Sequence, residues 1–132
     1  MNKEELVQEA RQALLHSYSP YSNFPVGAAL LCKDGTVIRG TNVENVSFGA
    51  TNCAERSAIF TAIGQGYKKG DFEAIAIAGK TEGFLPPCCI CRQVMAELLE
   101  SGTAVFLTNG QGEIKEYPLG ELVPLSFTAL DI

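Results

Sequence analysis

The sequence predicts a single α/β domain in which helices pack on a partly parallel sheet. Two observations predict it: segments with helical periodicity join the later strand-like runs, and 46% of the 132 residues are hydrophobic. Connecting helices of about ten residues or more permit parallel strands, and this apolar fraction is sufficient for a core. No repeat, low-complexity tract or linker divides the chain, so we expect one domain over residues 1–132.

The first half of the chain is expected to form a helix, a hairpin and a second helix. Leu6, Ala10, Ala13 and Leu14 recur at the spacing of one face of an amphipathic helix. An Asp-Gly pair between two apolar runs favours a β-hairpin, and Gly64 is a helix stop signal. The expected elements are helix 3–17, loop Ser17 to Phe24, strands Val26 to Cys32 and Val37 to Val43, loop Glu44 to Asn52, and helix Cys53 to Ile63.

The second half alternates strands with helices. Ala-Ile-Ala-Ile-Ala is a short β-like run, and Val94, Leu98 and Leu99 have helical spacing. The expected elements are strand Ala74 to Ala78, helix Cys89 to Leu99, strand Ala104 to Leu107, a last strand Gln111 to Tyr117, and a short helix or turn Pro118 to Val123.

Charge and hydropathy exclude several classes of partner. Ten Lys and Arg residues against fifteen Asp and Glu give a net charge of −5, and the basic residues are scattered, whereas a nucleic-acid surface needs them clustered. The apolar stretch from Val26 to Cys32 is far shorter than the ~20 residues of a membrane helix. The N-terminus carries acidic residues and lacks a signal-peptide pattern, so we expect a cytoplasmic protein that binds neither nucleic acid nor membrane.

Cysteine spacing indicates a metal site. The five cysteines are an odd number and three of them fall within four positions, which is not typical of a disulfide framework. Cys53 and the pair Cys88-x-x-Cys91 lie at predicted helix starts, where backbone N–H groups and the helix dipole favour thiolates. Three such ligands suit a catalytic zinc with one open coordination position. Cys32, in a predicted strand, is interpreted as a structural residue.

Glu55, two residues after Cys53, is placed to hydrogen-bond a water that the metal activates, and we interpret it as a proton shuttle. A ligand-x-Glu segment followed by Pro-Cys-x-x-Cys is the known pattern of zinc nucleobase deaminases. Arg56 is adjacent and can donate hydrogen bonds to the thiolates, which would offset their charge, and Arg92 is a second candidate for this role.

Four motifs in register extend this pattern over essentially the whole chain. They are Ser19-Pro-Tyr-Ser-Asn-Phe-Pro-Val-Gly-Ala-Ala29, Gly40-Thr-Asn42-Val-Glu44-Asn45, Cys53-Ala-Glu-Arg56 and Pro87-Cys-x-x-Cys-Arg-Gln93. With them, the sequence resembles the cytidine deaminases of the small homotetrameric, three-cysteine type. The resemblance implies a three-layer α-β-α sandwich around a mixed sheet of about five strands. It also implies zinc-dependent hydrolytic deamination of cytidine and 2′-deoxycytidine in pyrimidine salvage.

The same resemblance assigns roles to individual residues. It implies that Cys53, Cys88 and Cys91 bind zinc and that Glu55 shuttles protons. For the nucleoside, it implies that Phe24 stacks on the base, that Asn42 and Glu44 hydrogen-bond the ribose 3′-hydroxyl, that the Ala54 backbone meets the base edge, and that Phe127 enters a neighbouring subunit's site.

Several alternatives stay open at this point. Cys89 and Ile90 stand between the last two metal cysteines, where the family usually has Gly and Ala, so Cys89-x-Cys91 is a competing ligand pair. His16, at the end of the first helix, is expected to cap or pack rather than bind metal. For function, the alternatives are a deaminase of a modified cytosine nucleoside such as blasticidin S, a non-catalytic zinc or thiol protein with a fourth ligand, and a polynucleotide-editing deaminase.

Overall fold

The chain forms a five-stranded sheet between two helical layers, and its elements follow the order expected from the sequence. The computed structural model describes residues 1–130. The elements are α1 (Lys3–Leu14), β1 (Val26–Cys32), β2 (Val37–Thr41), α2 (Ala54–Gly64), β3 (Phe72–Gly79), α3 (Cys89–Leu98), β4 (Ala104–Thr108), β5 (Ile114–Pro118) and α4 (Leu119–Leu122), with a 3₁₀ turn at Phe48–Ala50.

The sheet is mixed, with strand order β2-β1-β3-β4-β5. β3 and β4 pair in parallel through the connection that contains α3, and the other neighbouring pairs are antiparallel. This topology confirms the expected α/β class with a mixed sheet of five strands. None of the helices in the described part of the chain is long and apolar enough to cross a membrane.

Residues that alternate along the strands supply the two cores. On one face, Leu30, Ile75 and Ile77 pack in the cluster that contains buried residues of α2 and α3. On the other face, small residues such as Ala76 and Ala78 pack in the cluster that contains α1. Since successive residues of a strand point to opposite faces, both faces of β3 are covered and its sequence is apolar throughout its centre.

A glycine lets α2 approach the sheet closely. A Cβ atom at Gly40 of β2 would lie 2.3 Å from the carbonyl oxygen of Ala54 and 2.5 Å from the backbone nitrogen of Ala58. Only a residue without a side chain therefore fits beneath the first turns of α2. This contact sets the position of the α2 N-terminus, which carries four of the predicted site residues, Cys53, Ala54, Glu55 and Arg56.

Most elements have bounds that differ from the sequence expectation by one to three residues, and hydrogen bonds explain three of these differences. α1 ends at Leu14 because the next three N–H groups bond to carbonyls three residues back, at 3.0 to 3.3 Å. β2 ends at Thr41, since Val43 instead exchanges backbone hydrogen bonds with Asn52. β5 begins only at Ile114, after a turn in which the Asn109 side chain accepts two backbone N–H groups.

Candidate active site

Two helix starts gather three cysteine thiols. Cys53 is the N-cap residue of α2, Cys88 is the N-cap residue of α3, and Cys91 lies in the first turn of α3. Their sulfur atoms all lie within 4.8 Å of one another. The Cys88 sulfur also accepts the backbone N–H of Cys91 at 3.4 Å. The three thiols therefore lie where two helix dipoles stabilise negative charge.

The spacing of these sulfurs fits a tetrahedral metal ion. Four-coordinate zinc with Zn–S bonds of about 2.3 Å would hold its sulfurs about 3.8 Å apart, and those of Cys53 and Cys88 are 3.7 Å apart. Among residues 1–130, no other three His, Cys, Asp or Glu side chains gather in this way. Cys32 lies fully buried in the core instead. Three thiol donors suit zinc and leave a fourth coordination position for chemistry.

The pKa values of two of these thiols shift in opposite directions. The pKa of the Cys53 thiol is lowered to about 5, mainly by a hydrogen bond from Cys91 and additionally by the Arg56 guanidinium. The same hydrogen bond, together with burial, raises the pKa of Cys91. Arg56 Nη2 donates to the Cys53 sulfur at 3.2 Å. Arg56 is therefore the cation that offsets the thiolate charge.

Arg92 contacts a different part of the site. Its Nε donates to the carbonyl oxygen of Pro87 at 2.9 Å, and its Nη1 donates to that of Leu122 at 3.0 Å. These bonds tie the segment before α3 to the end of α4. Of the two arginines considered from the sequence, the structure brings Arg56 to the sulfurs and uses Arg92 to hold the backbone near Cys88.

Glu55 is a buried carboxyl beside the thiols. It lies in the first turn of α2 and its residue surface is only 4% exposed. Burial disfavours the charged form and raises the pKa of Glu55 to about 7. A carboxyl that titrates near neutral pH both accepts and donates protons under those conditions, which is the property of a general acid and base.

A cavity of about 330 Å³ opens beside this carboxyl. One side, which we call the metal wall, consists of Cys53, Ala54, Glu55 and Cys88. The other side, which we call the loop wall, consists of Ser22, Phe24, Asn42 and Glu44. Larger depressions of about 820 and 560 Å³ lie elsewhere, but neither is lined by the cysteine cluster. Of these three, the smaller cavity is the candidate site because it joins cysteines of the cluster to the other predicted residues.

Hydrogen bonds fix the two polar side chains of the loop wall. Asn42 Oδ1 accepts the N–H of Val26 at 2.9 Å and the hydroxyl of Ser17, and Asn42 Nδ2 donates to the carbonyl oxygen of Phe24 at 2.8 Å. One hydrogen of the Asn42 amide is not used by these bonds. The amide is therefore oriented, with its oxygen directed at the protein and one N–H left to donate.

Glu44 is bound by the loop that contains Phe24. Its Oε1 accepts the N–H groups of Tyr21 and Ser22 at 3.0 and 3.1 Å, and its Oε2 accepts the hydroxyl of Ser22. The hydrogen bond from the Ser22 hydroxyl is the main reason that the pKa of Glu44 lies below its ordinary value. Glu44 is thus an ionised acceptor that also organises its wall of the cavity.

Sequence reasoning assigned no site role to seven residues of the cavity lining, namely Ser22, Val26, Thr51, Asn52, Ile77, Leu85 and Pro86. Leu85 and Pro86 directly precede the Pro-Cys motif, so their proximity to the cysteines was the available signal. Ser22 lies within a recognised motif, but its partner Glu44 is 22 residues away. No local pattern shows that contact.

Comparison with known proteins identifies the family. Residues 1–108 match the family described as "Cytidine and deoxycytidylate deaminase zinc-binding region". The chain belongs to this family. The cytidine deaminase of Halalkalibacterium halodurans is 53% identical to it over 132 residues, which are 100% of this chain and 98% of that relative. The cytidine deaminase of Sporosarcina psychrophila is 45% identical over 132 residues, covering 100% of this chain and 96% of that relative.

Solved structures place the fold in the same deaminase family. A 1.6 Å crystal structure of cytidine deaminase from Burkholderia pseudomallei matches with a TM-score of 0.94 and 49% identity, over 96% of this chain and 100% of that one. These findings confirm the resemblance drawn from the four sequence motifs. Zinc is the cofactor of this family's region, and the cluster of Cys53, Cys88 and Cys91 is suited to bind it.

Other predicted or considered residues lie outside the cavity of this deaminase-family chain. Phe127 is 53% exposed, and its carbonyl oxygen accepts Gln93 Nε2 at 2.6 Å, so its place in a neighbouring subunit's site stays a prediction. Cys89 is exposed, and the sulfur cluster combines Cys88, not Cys89, with Cys91. His16 does not line the cavity.

Proposed function

We propose that the chain catalyses hydrolytic deamination of cytidine and 2′-deoxycytidine to uridine and 2′-deoxyuridine, with release of ammonia. The observation that supports this most directly is the buried Glu55 carboxyl in one cavity with the cysteine cluster. The relatives that match the chain almost end to end are cytidine deaminases. A preference for a modified nucleoside such as blasticidin S is therefore not favoured.

Glu55 is the catalytic residue of this proposal. Cys53, Cys88 and Cys91 would hold the zinc ion, which would supply Lewis-acid activation of a water molecule. Glu55 accepts a proton from the attacking water, because its carboxyl lines the cavity and titrates near neutral pH. Glu55 then delivers protons to N3 of the base and to the leaving amine. The water oxygen bonds to C4 and N3 takes the first proton, which gives a tetrahedral species at C4. Glu55 passes the second proton of the added water to the amine, and the bond from C4 to the exocyclic nitrogen then breaks, so cytidine and water give uridine and ammonia.

The loop wall binds the nucleoside. The exposed ring of Phe24 covers the apolar face of the pyrimidine, while the Ala54 backbone on the metal wall meets the base edge. The free N–H of Asn42 and the Glu44 carboxylate hydrogen-bond the 3′-hydroxyl. A carboxylate accepts a hydrogen bond from a hydroxyl group but repels a phosphate, so Glu44 favours a nucleoside over a nucleotide.

Arg56 tunes the metal wall. Three thiolates would give the zinc site a net charge of about −1, which weakens the acidity of a bound metal. Arg56 donates to the Cys53 sulfur and withdraws part of that charge.

We further propose that the enzyme acts in cytoplasmic pyrimidine salvage as a homotetramer. Exposed apolar side chains at Phe48, Ile90 and Phe127 support burial between copies, with Phe127 completing a neighbour's site. A single domain over residues 1–132 is supported by one sheet to which the described elements belong or pack; residues 131 and 132 lie outside the described part.

The decisive experiment follows the ultraviolet absorbance of cytidine mixed with purified protein, alongside the zinc content and the mass of the particle in solution. We expect turnover at about one zinc per chain. Chelation should remove activity and added zinc should restore it. A protein with one zinc per chain that leaves both cytidine and 2′-deoxycytidine unchanged would overturn the proposal.

A further inference from the structure

The backbone of Phe24 is fixed on both sides, although its ring is not held by packing. The residue is 45% exposed. Its N–H donates to the Ser22 hydroxyl oxygen at 3.0 Å, and its carbonyl oxygen accepts Asn42 Nδ2 at 2.8 Å. Two polar side chains of the same wall therefore fix the backbone from which the ring extends.

Ser22 connects Phe24 to Glu44. A serine hydroxyl has one hydrogen to donate and lone pairs to accept. In Ser22 the hydrogen goes to Glu44 Oε2 and a lone pair accepts the Phe24 N–H. Donation to an ionised carboxylate is the stronger kind of hydrogen bond, so the hydroxyl has a defined direction and leaves its oxygen available to Phe24.

The backbone between these two residues is shaped for this contact. Asn23 has a φ of 55°, in the left-handed region that asparagine tolerates better than most residues. With the chain turned there, the Phe24 N–H reaches the hydroxyl two residues earlier, a local bond that serine commonly forms in turns. Ser22 also lines the cavity itself.

We propose that Ser22 is a positioning residue that couples the Glu44 carboxylate to the placement of the Phe24 ring. This inference rests on the proposed function, in which Glu44 binds the sugar and Phe24 stacks on the base. Through Ser22, the sugar side and the base side of the loop wall form one unit. Loss of the Ser22 hydroxyl therefore weakens binding of the base even in a nucleoside that lacks the 3′-hydroxyl and so donates no hydrogen bond from that position to Glu44.

The variant Ser22→Ala is expected to fold. The N–H groups of Tyr21 and Ser22 keep their bonds to Glu44 Oε1, because these are backbone donors that the substitution does not remove. The loop therefore stays attached while the bond to the Phe24 N–H is lost. Ser19→Ala is the matched control, since its hydroxyl contacts only the Ser17 hydroxyl, at 3.1 Å, among the residues the structure describes.

The test compares steady-state kinetics on cytidine and on 2′,3′-dideoxycytidine, with Tm measured for every variant. For Ser22→Ala we expect KM on cytidine to rise about tenfold, the size of one hydrogen bond to a charged group, with kcat nearly unchanged. KM on the dideoxynucleoside should rise as well. Ser22→Thr, which keeps the hydroxyl, should restore both values, and Ser19→Ala should match the wild type.

Three results would overturn the inference. Unchanged KM in Ser22→Ala would show that the hydroxyl positions nothing. A rise on cytidine alone would show that Ser22 acts only on Glu44, without coupling to Phe24. A fall in both kcat and Tm together with the rise in KM, and no rescue by threonine, would show a purely structural role. Failure of the proposed function is separate, because the wild type itself would then not deaminate cytidine.

Discussion

The two walls of the cavity are held in place by different forces. On the metal wall, Ala54 is fully buried and Glu55 is 4% exposed, and both belong to a helix packed against the sheet through Gly40. On the loop wall, Phe24 is 45% exposed and is held by hydrogen bonds to its backbone. Packing therefore fixes the reacting groups, and polar tethers fix the binding groups.

This difference agrees with what each wall has to do. Metal ligation and proton transfer tolerate only small errors in atomic position, and close packing in a core provides this precision. Recognition of a ligand from solution requires surface that is accessible before binding. Side-chain bonds to loop backbone provide order there without burial.

The largest effect is expected when one sulfur of the cysteine cluster is removed. Cys91→Ser should reduce zinc from about one per chain to a small fraction and abolish turnover, because one of three sulfur donors is lost. Metal analysis of the purified variant measures this directly. Cys89→Ser is the matched control, since that exposed thiol lies outside the cluster. Zinc loss in both Cys89→Ser and Cys91→Ser, with zinc kept in Cys88→Ser, would instead identify Cys89-x-Cys91 as the ligand pair.

The next largest effect is expected when proton transfer is removed and metal binding is kept. Glu55→Gln should lower kcat by roughly 10²- to 10⁴-fold, the usual contribution of a general acid and base, while zinc content stays unchanged. Glu73→Gln, at an exposed position of β3, should behave as the wild type. If zinc and activity disappear together in Glu55→Gln, the residue has a structural role and the proton-shuttle assignment is wrong.

A third prediction tests whether packing positions the metal wall. Gly40→Ala should reduce the free energy of unfolding by about 1–3 kcal/mol, because its Cβ would meet the Ala54 carbonyl oxygen at 2.3 Å. Gly64→Ala, at the end of α2, meets nothing within 4 Å and is the control. Urea unfolding of both variants gives the comparison. Equal stability for the two would show that α2 is not held by this contact.

The smallest effect concerns the tether of the loop wall. The Ser22 hydroxyl lowers the pKa of Glu44, so ionised Glu44 stabilises the fold above the pKa of a free Glu side chain, and this stabilisation disappears as pH falls through the lower folded pKa. The stability advantage of the wild type over Glu44→Gln should therefore shrink as the pH falls below about 5, where a free Glu side chain begins to take up protons. Urea unfolding at several pH values measures it, with Glu116→Gln on exposed β5 as control. A constant advantage would contradict the tether.

The metal wall was largely predictable from the sequence, and the loop wall was predictable only in part. Glu55 lies two residues after Cys53, and Cys91 lies three residues after Cys88, so local spacing defines the geometry within each helix start. The known deaminase pattern indicated that the two helix starts belong to one site. Even there, Cys53 proved to be the N-cap residue rather than the first helical residue. Phe24, Asn42 and Glu44 were predicted through the family resemblance, not through local pattern.

The hydrogen bonds within the loop wall could not be predicted. Glu44 bonds to Tyr21 and Ser22 across 23 and 22 residues, and such contacts depend on how β1 and β2 place the two loops side by side. The end of α1 was predicted three residues too late. The sequence of residues 15–17 gives no stop signal, but their N–H groups bond to carbonyls three residues back, as in a turn.

The central place of β3 in the sheet also has a kinetic consequence. This strand has hydrogen-bonded neighbours on both sides and buried residues on both faces. Its amide protons should therefore exchange with solvent deuterium only when the whole domain unfolds, whereas those of the loop around Ser22 exchange through small local openings. The segment that carries Cys88 begins where β3 ends, at Gly79. Two of the three proposed zinc ligands, Cys88 and Cys91, thus follow the strand that is expected to open most slowly, whereas the proposed nucleoside cavity is lined by a loop that is expected to open readily.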